Sequence, residues 1–269
     1  MRRVDLYDKI STITGIPEKD LPRNFQIIGK SIIINFRNNS PENKGKIAKA
    51  YLATLKLWSV YEIGRIDDAM RIPSTELLAG VRTPMTNVED GIIYRFDPSV
   101  IMFSKGNKFE RHRLTGKVRS GETVVDMFAG IGYFSIPIAP RVKRIYSCEI
   151  NPVSFHYLIM NKKLNHAENL FPYLGNSGDF PYENVADRVI MGHFDSLQFL
   201  AKAFRILKNE GTIHLHAAER RNSELIGRKL DQLKEVVKYE SRKVKSYSPS
   251  TNHMVYDIYV NKNKCKSDQ

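Results

Sequence analysis

The fold of this chain is decided by the stretch Val124-Val125-Asp126-Met127-Phe128-Ala129-Gly130-Ile131-Gly132-Tyr133-Phe134-Ser135. It has the form of a buried apolar strand, a glycine turn and the start of a helix. Gly130 and Gly132 have no Cβ, so the backbone there can adopt positive φ and let a ligand lie against it. The helix that follows offers unpaired N–H groups in its first turn. We therefore expect a nucleotide-cofactor pocket at this turn.

An acidic residue, Glu149, closes the next apolar stretch, where strand-helix-strand geometry would place it to accept hydrogen bonds from a ribose diol. Ser135 replaces the third glycine of the dinucleotide fingerprint. On the strand side, Asp126 would repel a pyrophosphate and attract a cation. The pattern favours the sulfonium cofactor S-adenosylmethionine over NAD, although NAD, another nucleotide or a glycine turn without a ligand stay open as alternatives.

The composition indicates an ordinary soluble protein with a polyanionic partner. A chain of 269 residues, 42% hydrophobic and 26% charged, can bury the core of one large domain or two modest ones. Its net charge of +13 attracts nucleic acid, although a basic surface selected for solubility has the same composition. Basic residues crowd two places near the ends of the predicted sheet: Arg111, Arg113, Lys117 and Arg119, and Arg220, Arg221, Arg228 and Lys229.

Membrane, secreted and metal-dependent classes are disfavoured. No apolar run approaches the ~18–20 residues needed to span a bilayer, and residues 1–5 lack an apolar signal segment, so we expect a cytoplasmic protein. Two cysteines, Cys148 and Cys265, are too few for a disulfide framework or a zinc site. His214 and His216 alternate on a predicted strand without ligands at metal spacing, so packing is expected for them and no metal is predicted.

Residues 1–110 are predicted to form a small α+β N-terminal domain. Two β-rich runs, Phe25–Ile28 and Ser31–Phe36, surround a Gly-Lys pair and predict a hairpin. Two further strands are expected at residues 92–96 and 100–103.

A helix is expected between these strands. Ile47, Tyr51, Leu55 and Trp58 recur at helical spacing, so Tyr51 and Trp58 are interpreted as core residues rather than as platforms for base stacking. Residues 71–80 mix structure breakers with a short apolar pair, and no regular element is predicted there.

Residues 111–269 are predicted to form a Rossmann-like catalytic domain that binds the cofactor. From residue 111 the pattern changes to alternating strands and helices, which is typical of an α/β fold with a doubly wound, mostly parallel sheet. The strands are expected at Thr123–Met127, Arg144–Cys148, Leu170–Leu174, Ala186–Met191 and Gly211–His216. A helix over residues 225–237 should follow, and the runs at 242–247 and 254–260 predict a C-terminal hairpin that completes seven strands.

Several ordered motifs resemble one family. They are the glycine turn, Glu149-Ile150-Asn151-Pro152, Phe103-Ser104-Lys105-Gly106-Asn107-Lys108-Phe109-Glu110-Arg111, Arg71-x-Pro73-x-x-x-Leu77-Leu78-x-Gly80 and Arg188-Val189-Ile190-Met191-Gly192. Together they resemble the archaeal and eukaryotic family that holds the tRNA guanosine N1-methyltransferases and the wybutosine-pathway 3-amino-3-carboxypropyl transferases. The resemblance covers roughly residues 65–260. It implies a class I S-adenosylmethionine-dependent transferase fold, that cofactor, and tRNA as the partner.

The two branches of this family differ at the end of the fourth strand. The methyltransferase branch carries Asn-Pro-Pro or Asn-Leu-Pro there, whereas this chain has Met191-Gly192-His193-Phe194. Loss of the side-chain amide weakens N-methylation and favours aminocarboxypropyl transfer to a tricyclic guanosine next to the anticodon. Methyl transfer is the first alternative, and a noncatalytic RNA-binding module is the second.

The resemblance also implies roles for single residues. Of the cofactor residues, those of the glycine turn should wall the methionine end, Glu149 and Asn151 should bind the ribose side, and Asn176 should read adenine unless it is only a turn residue. The whole cofactor set is Ser104, Asp126, Phe128, Ala129, Gly130, Gly132, Glu149, Asn151 and Asn176. The catalytic candidates are Glu110, Arg111 and His193. Glu110 matches a general base, although an ordinary salt bridge has the same sequence pattern.

Overall fold

The computed structural model describes residues 3–36, 39–66, 73–103, 105–220 and 223–263. Packing divides the chain into two compact units, Met1–Phe103 and Ser104–Gln269. The first helix of the second unit spans Lys108–Lys117, so the domain boundary expected at residue 110 falls within this helix.

The first unit combines helices and sheets. Its helices are α1 (Arg3–Thr14) and α2 (Pro41–Thr54), and its strands are β1 (Phe25–Ile28), β2 (Ser31–Ile34), β3 (Ser59–Ile66), β4 (Pro73–Gly80), β5 (Met85–Glu89) and β6 (Ile92–Phe96). Strands β1 to β4 form one sheet in that order, and β5 pairs with β6 alone. Ile10 of α1, Ile47 and Tyr51 of α2 and Ile32 of β2 belong to one buried cluster, so the helices and this sheet share a core.

The hairpin predicted in this unit is confirmed, but the prediction for Trp58 is wrong. Strands β1 and β2 pair antiparallel, with Phe25 opposite Ile34. Tyr51 is buried as expected, whereas 54% of the Trp58 surface is exposed. Helix α2 ends at Thr54 and the chain turns at Lys56, whose φ is +51°, so Trp58 no longer lies on the buried helix face.

Two strand assignments in this unit are also corrected. Residues 73–80 form β4 although the sequence mixes breakers, because β4 lies at the sheet edge and Pro73 stands at its first position, where no ladder N–H is required. Residues 100–103 form no strand. Ile101 and Phe103 are buried by packing instead, with the Phe103 ring stacked on Phe96 at 5.1 Å.

The second unit is built on a seven-stranded sheet. Its strands are β7 (Thr123–Asp126), β8 (Arg144–Glu149), β9 (Leu170–Leu174), β10 (Ala186–Met191), β11 (Leu207–Arg220), β12 (Val236–Ser248) and β13 (Thr251–Asn261). Its helices are α3 (Lys108–Lys117), α4 (Ser135–Ile138), α5 (Pro152–Leu164), α6 (Leu200–Ile206) and α7 (Leu225–Asp231). The spatial order is β12-β13-β11-β10-β7-β8-β9.

The mostly parallel sheet with a C-terminal hairpin is confirmed. Strands β7 to β11 run parallel, and β13 pairs antiparallel with both β11 and β12. The helix expected to reach residue 237 ends at Asp231, because the β-branched Val236 pairs with Val260 and joins the sheet. Within the described ranges, no helix has the length and apolar character needed to cross a membrane.

Candidate functional site

The glycine turn lies where the order of the sheet reverses. Strands β7 and β10 are parallel neighbours, but the chain passes through β8 and β9 on the other side before it returns to β10. Open α/β sheets bind ligands in the crevice at such a point, beyond the carboxyl ends of the strands. The turn is anchored to both sides: Met127 N donates to Ile190 O at 2.9 Å, and Ala129 N donates to Cys148 O at 2.9 Å.

Both glycines of the turn are required by its backbone. Gly130 has φ +57° and Gly132 has φ +97°, values that residues with a Cβ rarely adopt. A Cβ on Gly132 would also lie 2.5 Å from Ile136 Cγ1, and one on Gly130 would lie 2.7 Å from Tyr133 Cε2. The turn therefore approaches its own helix more closely than any side chain permits.

Glu149, at the end of β8, holds the turn by its carboxylate. Oε2 accepts a hydrogen bond from Gly130 N at 2.7 Å, and Oε1 accepts one from Asn151 N at 2.8 Å. Burial raises the pKa of Glu149, while these backbone donors partly offset the increase. A carboxylate has about four acceptor positions, so both oxygens can accept further hydrogen bonds from a ribose diol.

The Asp126 carboxyl group hydrogen-bonds to residues on both sides of the glycine turn. It is fully buried; Oδ2 accepts from Ser135 Oγ at 2.7 Å and Oδ1 from Phe128 N at 3.3 Å. Burial raises the pKa of Asp126 to about 7. Ser135, the residue that replaces a third glycine, thus supplies the hydroxyl that binds this carboxylate. Ser147 Oγ in turn donates to Ser135 Oγ at 2.9 Å.

Two asparagines predicted to contact the cofactor cap helices: Asn151 caps α5, and Asn176 caps a single 3-10 turn. Asn151 Oδ1 accepts from Val153 N at 2.9 Å at the start of α5. Asn176 is exposed after β9, and its Oδ1 accepts from Gly178 N at 2.8 Å. The turn geometry considered for Asn176 is therefore present, with its side chain beside the crevice end of the sheet.

Aromatic rings gather at the ends of β7 and β10. The Phe128 ring stacks on His193 at a centroid distance of 5.6 Å and meets Phe199 edge-on at 5.4 Å. Asp195 N donates to His193 Nδ1 at 3.2 Å, so a neutral His193 ring carries its proton on Nε2 and can donate from there. Ala129 beside them is buried.

Gly192 follows the last residue of β10, and because it has no side chain the Phe134 ring can lie against it. A Cβ at Gly192 would stand 3.0 Å from Phe134 Cε2. The Phe134 ring is itself buried and meets His216 edge-on at 5.3 Å. The glycine turn is thereby connected to a second, more polar group of residues.

That second group surrounds Glu110, which is fully buried in the first turn of α3. Arg113 Nη2 donates to Glu110 Oε1 at 2.6 Å, and Arg242 Nη2 pairs with Oε2. His216 Nε2 lies 4.0 Å from Oε1 and makes no hydrogen bond with any described residue. His216 Nδ1 is 3.0 Å from His253 Nε2, so a histidine pair stands behind the carboxylate.

The network continues through His214. Arg188 Nη1 lies 2.6 Å from His214 Nε2, and because an arginine can only donate, Nε2 must accept. Nδ1 then carries the proton and donates to Asp257 Oδ1 at 2.5 Å. Burial is the main reason that the pKa of His214 falls to about 4, so the ring is neutral at pH 7. Burial would raise the pKa of Asp257, but hydrogen bonds from His214, Arg113 and Lys117 lower it overall.

The structure gathers most of the predicted residues into these two groups. The glycine turn, Glu149, Asn151 and His193 border the crevice, whereas Glu110 and the buried Arg111 belong to the helix behind it. Ser104 lies outside the described residues. In the ranges that the structure describes, no cluster of three or more His, Cys, Asp or Glu side chains could hold a metal ion. Five further residues of these groups were given no site role from the sequence: Arg113, Arg242, His216, His253 and Asp257.

One signal could have indicated part of the missed network. His214 and His216 alternate on β11 and are both buried, which is unusual for two polar residues unless partners lie on the neighbouring strands. The partners themselves come from α3, from β10 and from the hairpin, so spacing along the sequence does not identify them.

A glycine turn at the point where the sheet order reverses, a carboxylate bound to that turn and a C-terminal antiparallel hairpin are together typical of the Rossmann-like class I fold of S-adenosylmethionine-dependent transferases. The predicted fold class is thereby confirmed. The family model described as the TRM5/TYW2 methyltransferase domain matches residues 85–245, and the model described as the TYW2 N-terminal domain matches residues 12–83. The chain belongs to the TRM5/TYW2 family.

Relatives of known name match nearly the whole chain. The tRNA(Phe) (4-demethylwyosine(37)-C(7)) aminocarboxypropyltransferase of Methanocaldococcus jannaschii is 36% identical over 246 residues, which cover 87% of this chain and 96% of that protein. The Pyrococcus horikoshii enzyme of the same name is 36% identical over 275 residues, covering 97% and 99%. The crystal structure of P. horikoshii TYW2 in complex with MeSAdo has a TM-score of 0.81 at 33% identity and covers 95% and 99% of the two chains.

Proposed function

We propose that this chain transfers the 3-amino-3-carboxypropyl group of S-adenosylmethionine to a modified, tricyclic guanosine next to the anticodon of tRNA, in the biosynthesis of a wybutosine derivative. One observation carries this beyond membership of the family. Gly192 stands at the carboxyl end of β10, beside the glycine turn, and the Phe134 ring lies where an amide side chain would need to extend. Methylation of a planar ring nitrogen commonly uses such an amide, and here its place is filled by an apolar ring.

The chemistry is a displacement at carbon, with the sulfonium sulfur as the leaving group. A ring carbon of the acceptor base attacks the γ-methylene of the methionine arm, the new C–C bond forms, and the C–S bond breaks with its electron pair going to sulfur. Methylthioadenosine leaves, and the ring carbon that attacked then loses its proton so that the ring recovers its conjugation. Correct positioning can supply about 7–11 kcal/mol of such a barrier, so the orientation of the cofactor decides which carbon is transferred.

The residues around the glycine turn would hold the cofactor. Glu149 binds the ribose diol while it fixes the turn through Gly130 N. Asn151 shapes the same corner as the cap of α5, and Asn176 borders the adenine side. The turn itself, from Phe128 to Gly132, lies against the methionine end, with Asp126 beneath it.

Glu110 is the group proposed to accept the ring proton. It is buried, and the Arg242 guanidinium covers Oε2. The Arg242 side chain is 42% exposed, so it can move towards solvent or towards an RNA phosphate and uncover the carboxylate. His193, stacked on Phe128, would border the acceptor base. Arg111 is buried next to Glu110 in the first turn of α3.

The partner of the enzyme is tRNA, and the net charge of +13 suits it. Lysines and arginines that neutralise phosphates release counterions, so they supply affinity without sequence preference. We place the activity in the cytoplasm, because the proposed substrate is tRNA. No protein partner and no metal enters the proposed reaction.

The sulfur product distinguishes this function from its alternatives. Purified protein is incubated with S-adenosylmethionine and tRNA that carries the tricyclic precursor, and the small molecules are separated by chromatography. Methylthioadenosine is expected. S-adenosylhomocysteine would instead identify a guanosine N1-methyltransferase, and tRNA binding without either product would identify a noncatalytic RNA-binding module.

A further inference from the structure

The first turn of α3 reverses the usual distribution of residues between surface and core. Glu110 and Arg111 are buried, whereas 87% of the neighbouring Phe109 side chain is exposed. No other large hydrophobic side chain among the described residues is as exposed. A single exposed apolar residue is ordinary, but a helix that buries a charged pair and exposes a phenyl ring beside them is not.

The surroundings of Phe109 are cationic. Lys108 precedes it on the exposed side of the helix, and Lys245 Nζ lies against the Gly106 backbone, where a Cβ would stand only 2.9 Å away. Arg242 comes from the same strand as Lys245 and reaches Glu110. An aromatic ring among lysines and arginines is the arrangement with which proteins bind unpaired nucleotides, because the ring stacks on a base while the cations hold the backbone.

We infer that Phe109 is a stacking platform for an unpaired base of the tRNA that lies next to the modified nucleotide. This inference rests on the proposed function, and it names the part of the acceptor that the site grips. A base removed from its stack in a single-stranded loop exposes two apolar faces, and Phe109 would cover one of them. The stacked base would then lie beside Phe109, which directly precedes Glu110, the proposed proton acceptor.

Fluorescence tests the contact directly, because the natural chain has one tryptophan, Trp58. In the double variant Trp58→Phe, Phe109→Trp, the only indole stands at the proposed platform. Titration with substrate tRNA should quench its emission, and a fully paired RNA duplex, bound through phosphates at low salt, should not. Unchanged emission on tRNA that is shown to bind by filter retention would overturn the inference.

Substitutions separate stacking from simple packing. Phe109→Ala should weaken tRNA binding about tenfold or more, Phe109→Tyr should retain it, and Phe109→Leu should lose most of it because Leu fills space without stacking. The Kd for S-adenosylmethionine should not change. Leu225→Ala is the matched control, since Leu225 is an exposed apolar residue of the same unit and should behave as wild type.

The outcomes also distinguish this inference from the proposed function. If wild-type protein gives no aminocarboxypropyl product, the proposed function fails, while the binding and fluorescence data still report on Phe109. If wild type is active and Phe109→Ala binds tRNA equally well, only the stacking platform is refuted. If Phe109→Ala mainly lowers the melting temperature, Phe109 packs against the protein itself and the inference is wrong.

Discussion

The carboxylate of Glu149 joins the glycine turn to the start of the following helix, with Oε2 2.7 Å from Gly130 N and Oε1 2.8 Å from Asn151 N. The residue that we propose to bind the ribose therefore also fixes the loop against which the rest of the cofactor would lie. In this proposal, sugar recognition and loop geometry depend on the same two oxygens.

Glu149→Ala should weaken S-adenosylmethionine binding by at least about 100-fold, because it removes two charge-assisted hydrogen bonds in the protein and those to the ribose. Titration calorimetry gives the Kd. Glu168→Ala, at an exposed acid of the same unit, should bind like wild type. Equal affinity of Glu149→Ala and wild type would remove Glu149 from the cofactor site.

Gly132→Ala should reduce both stability and cofactor binding. Its φ of +97° is strained for alanine by about 1–3 kcal/mol, and the new Cβ would meet Ile136 Cγ1 at 2.5 Å. The melting temperature and the Kd for the cofactor are the measurements. Gly116→Ala in α3 is the control, since a Cβ there meets no atom within 4 Å, and this variant should be as stable as wild type or slightly more so. Equal melting temperatures and equal Kd values for the two variants would mean that Gly132 does not adopt this positive φ.

Asp126 gives the folded protein a defined pH dependence. Its pKa rises from 3.8 to about 7 on folding, so the folded state binds this proton more tightly than the unfolded chain. The stability contributed by the protonated carboxyl is fully present below the unfolded pKa of 3.8 and is lost as the pH rises towards 7. Asparagine cannot ionise, so the stability of wild type relative to Asp126→Asn should fall by up to about 4 kcal/mol over this range.

Urea unfolding of both proteins at several pH values measures this difference. Comparison of the two proteins cancels the other groups that titrate in the same range, such as His214, whose lowered pKa acts with the opposite sign. A pH-independent difference between wild type and Asp126→Asn would show that Asp126 is ionised throughout.

The Glu110→Gln variant should bind S-adenosylmethionine normally but form product far more slowly than wild type. General-base catalysis commonly contributes 100- to 10,000-fold, so a drop in turnover of about that size is expected with an unchanged Kd for S-adenosylmethionine. Arg113 and Arg242 also lose a charged partner, so thermal melts must show that the variant is folded at the assay temperature. Wild-type turnover in a folded Glu110→Gln protein would leave Glu110 a structural ion-pair residue.

The parts of this molecule that sequence predicted are those set by local pattern. Strands β9 and β10 match their predicted bounds. Strand β10 lies inside the parallel sheet, where both faces are buried and the chain carries an apolar run. The glycine turn was predictable for a similar reason, since Gly130 and Gly132 adopt a backbone conformation that other residues avoid. The seven-stranded architecture followed from these elements and from the C-terminal hairpin.

The parts that sequence missed depend on tertiary context. Pro73 looked like a breaker until its edge position was known, and Trp58 left the helical face once α2 ended at Thr54. In the site, Glu110 was predicted alone, because Arg242 reaches it only after the hairpin folds back onto α3. Long-range ion pairs of this kind leave no periodic signal in the chain.

In the proposed reaction the amino-acid arm of the cofactor, and not its methyl group, is transferred to the tRNA. The direct test uses S-adenosylmethionine labelled with one isotope in the carboxypropyl arm and another in the methyl group, with precursor tRNA as acceptor. After digestion of the tRNA to nucleosides, the arm label should be found in the modified tricyclic nucleoside, and the methyl label should remain in methylthioadenosine. Methyl label in the nucleoside, with the arm label left in S-adenosylhomocysteine, would show that the enzyme transfers the methyl group instead.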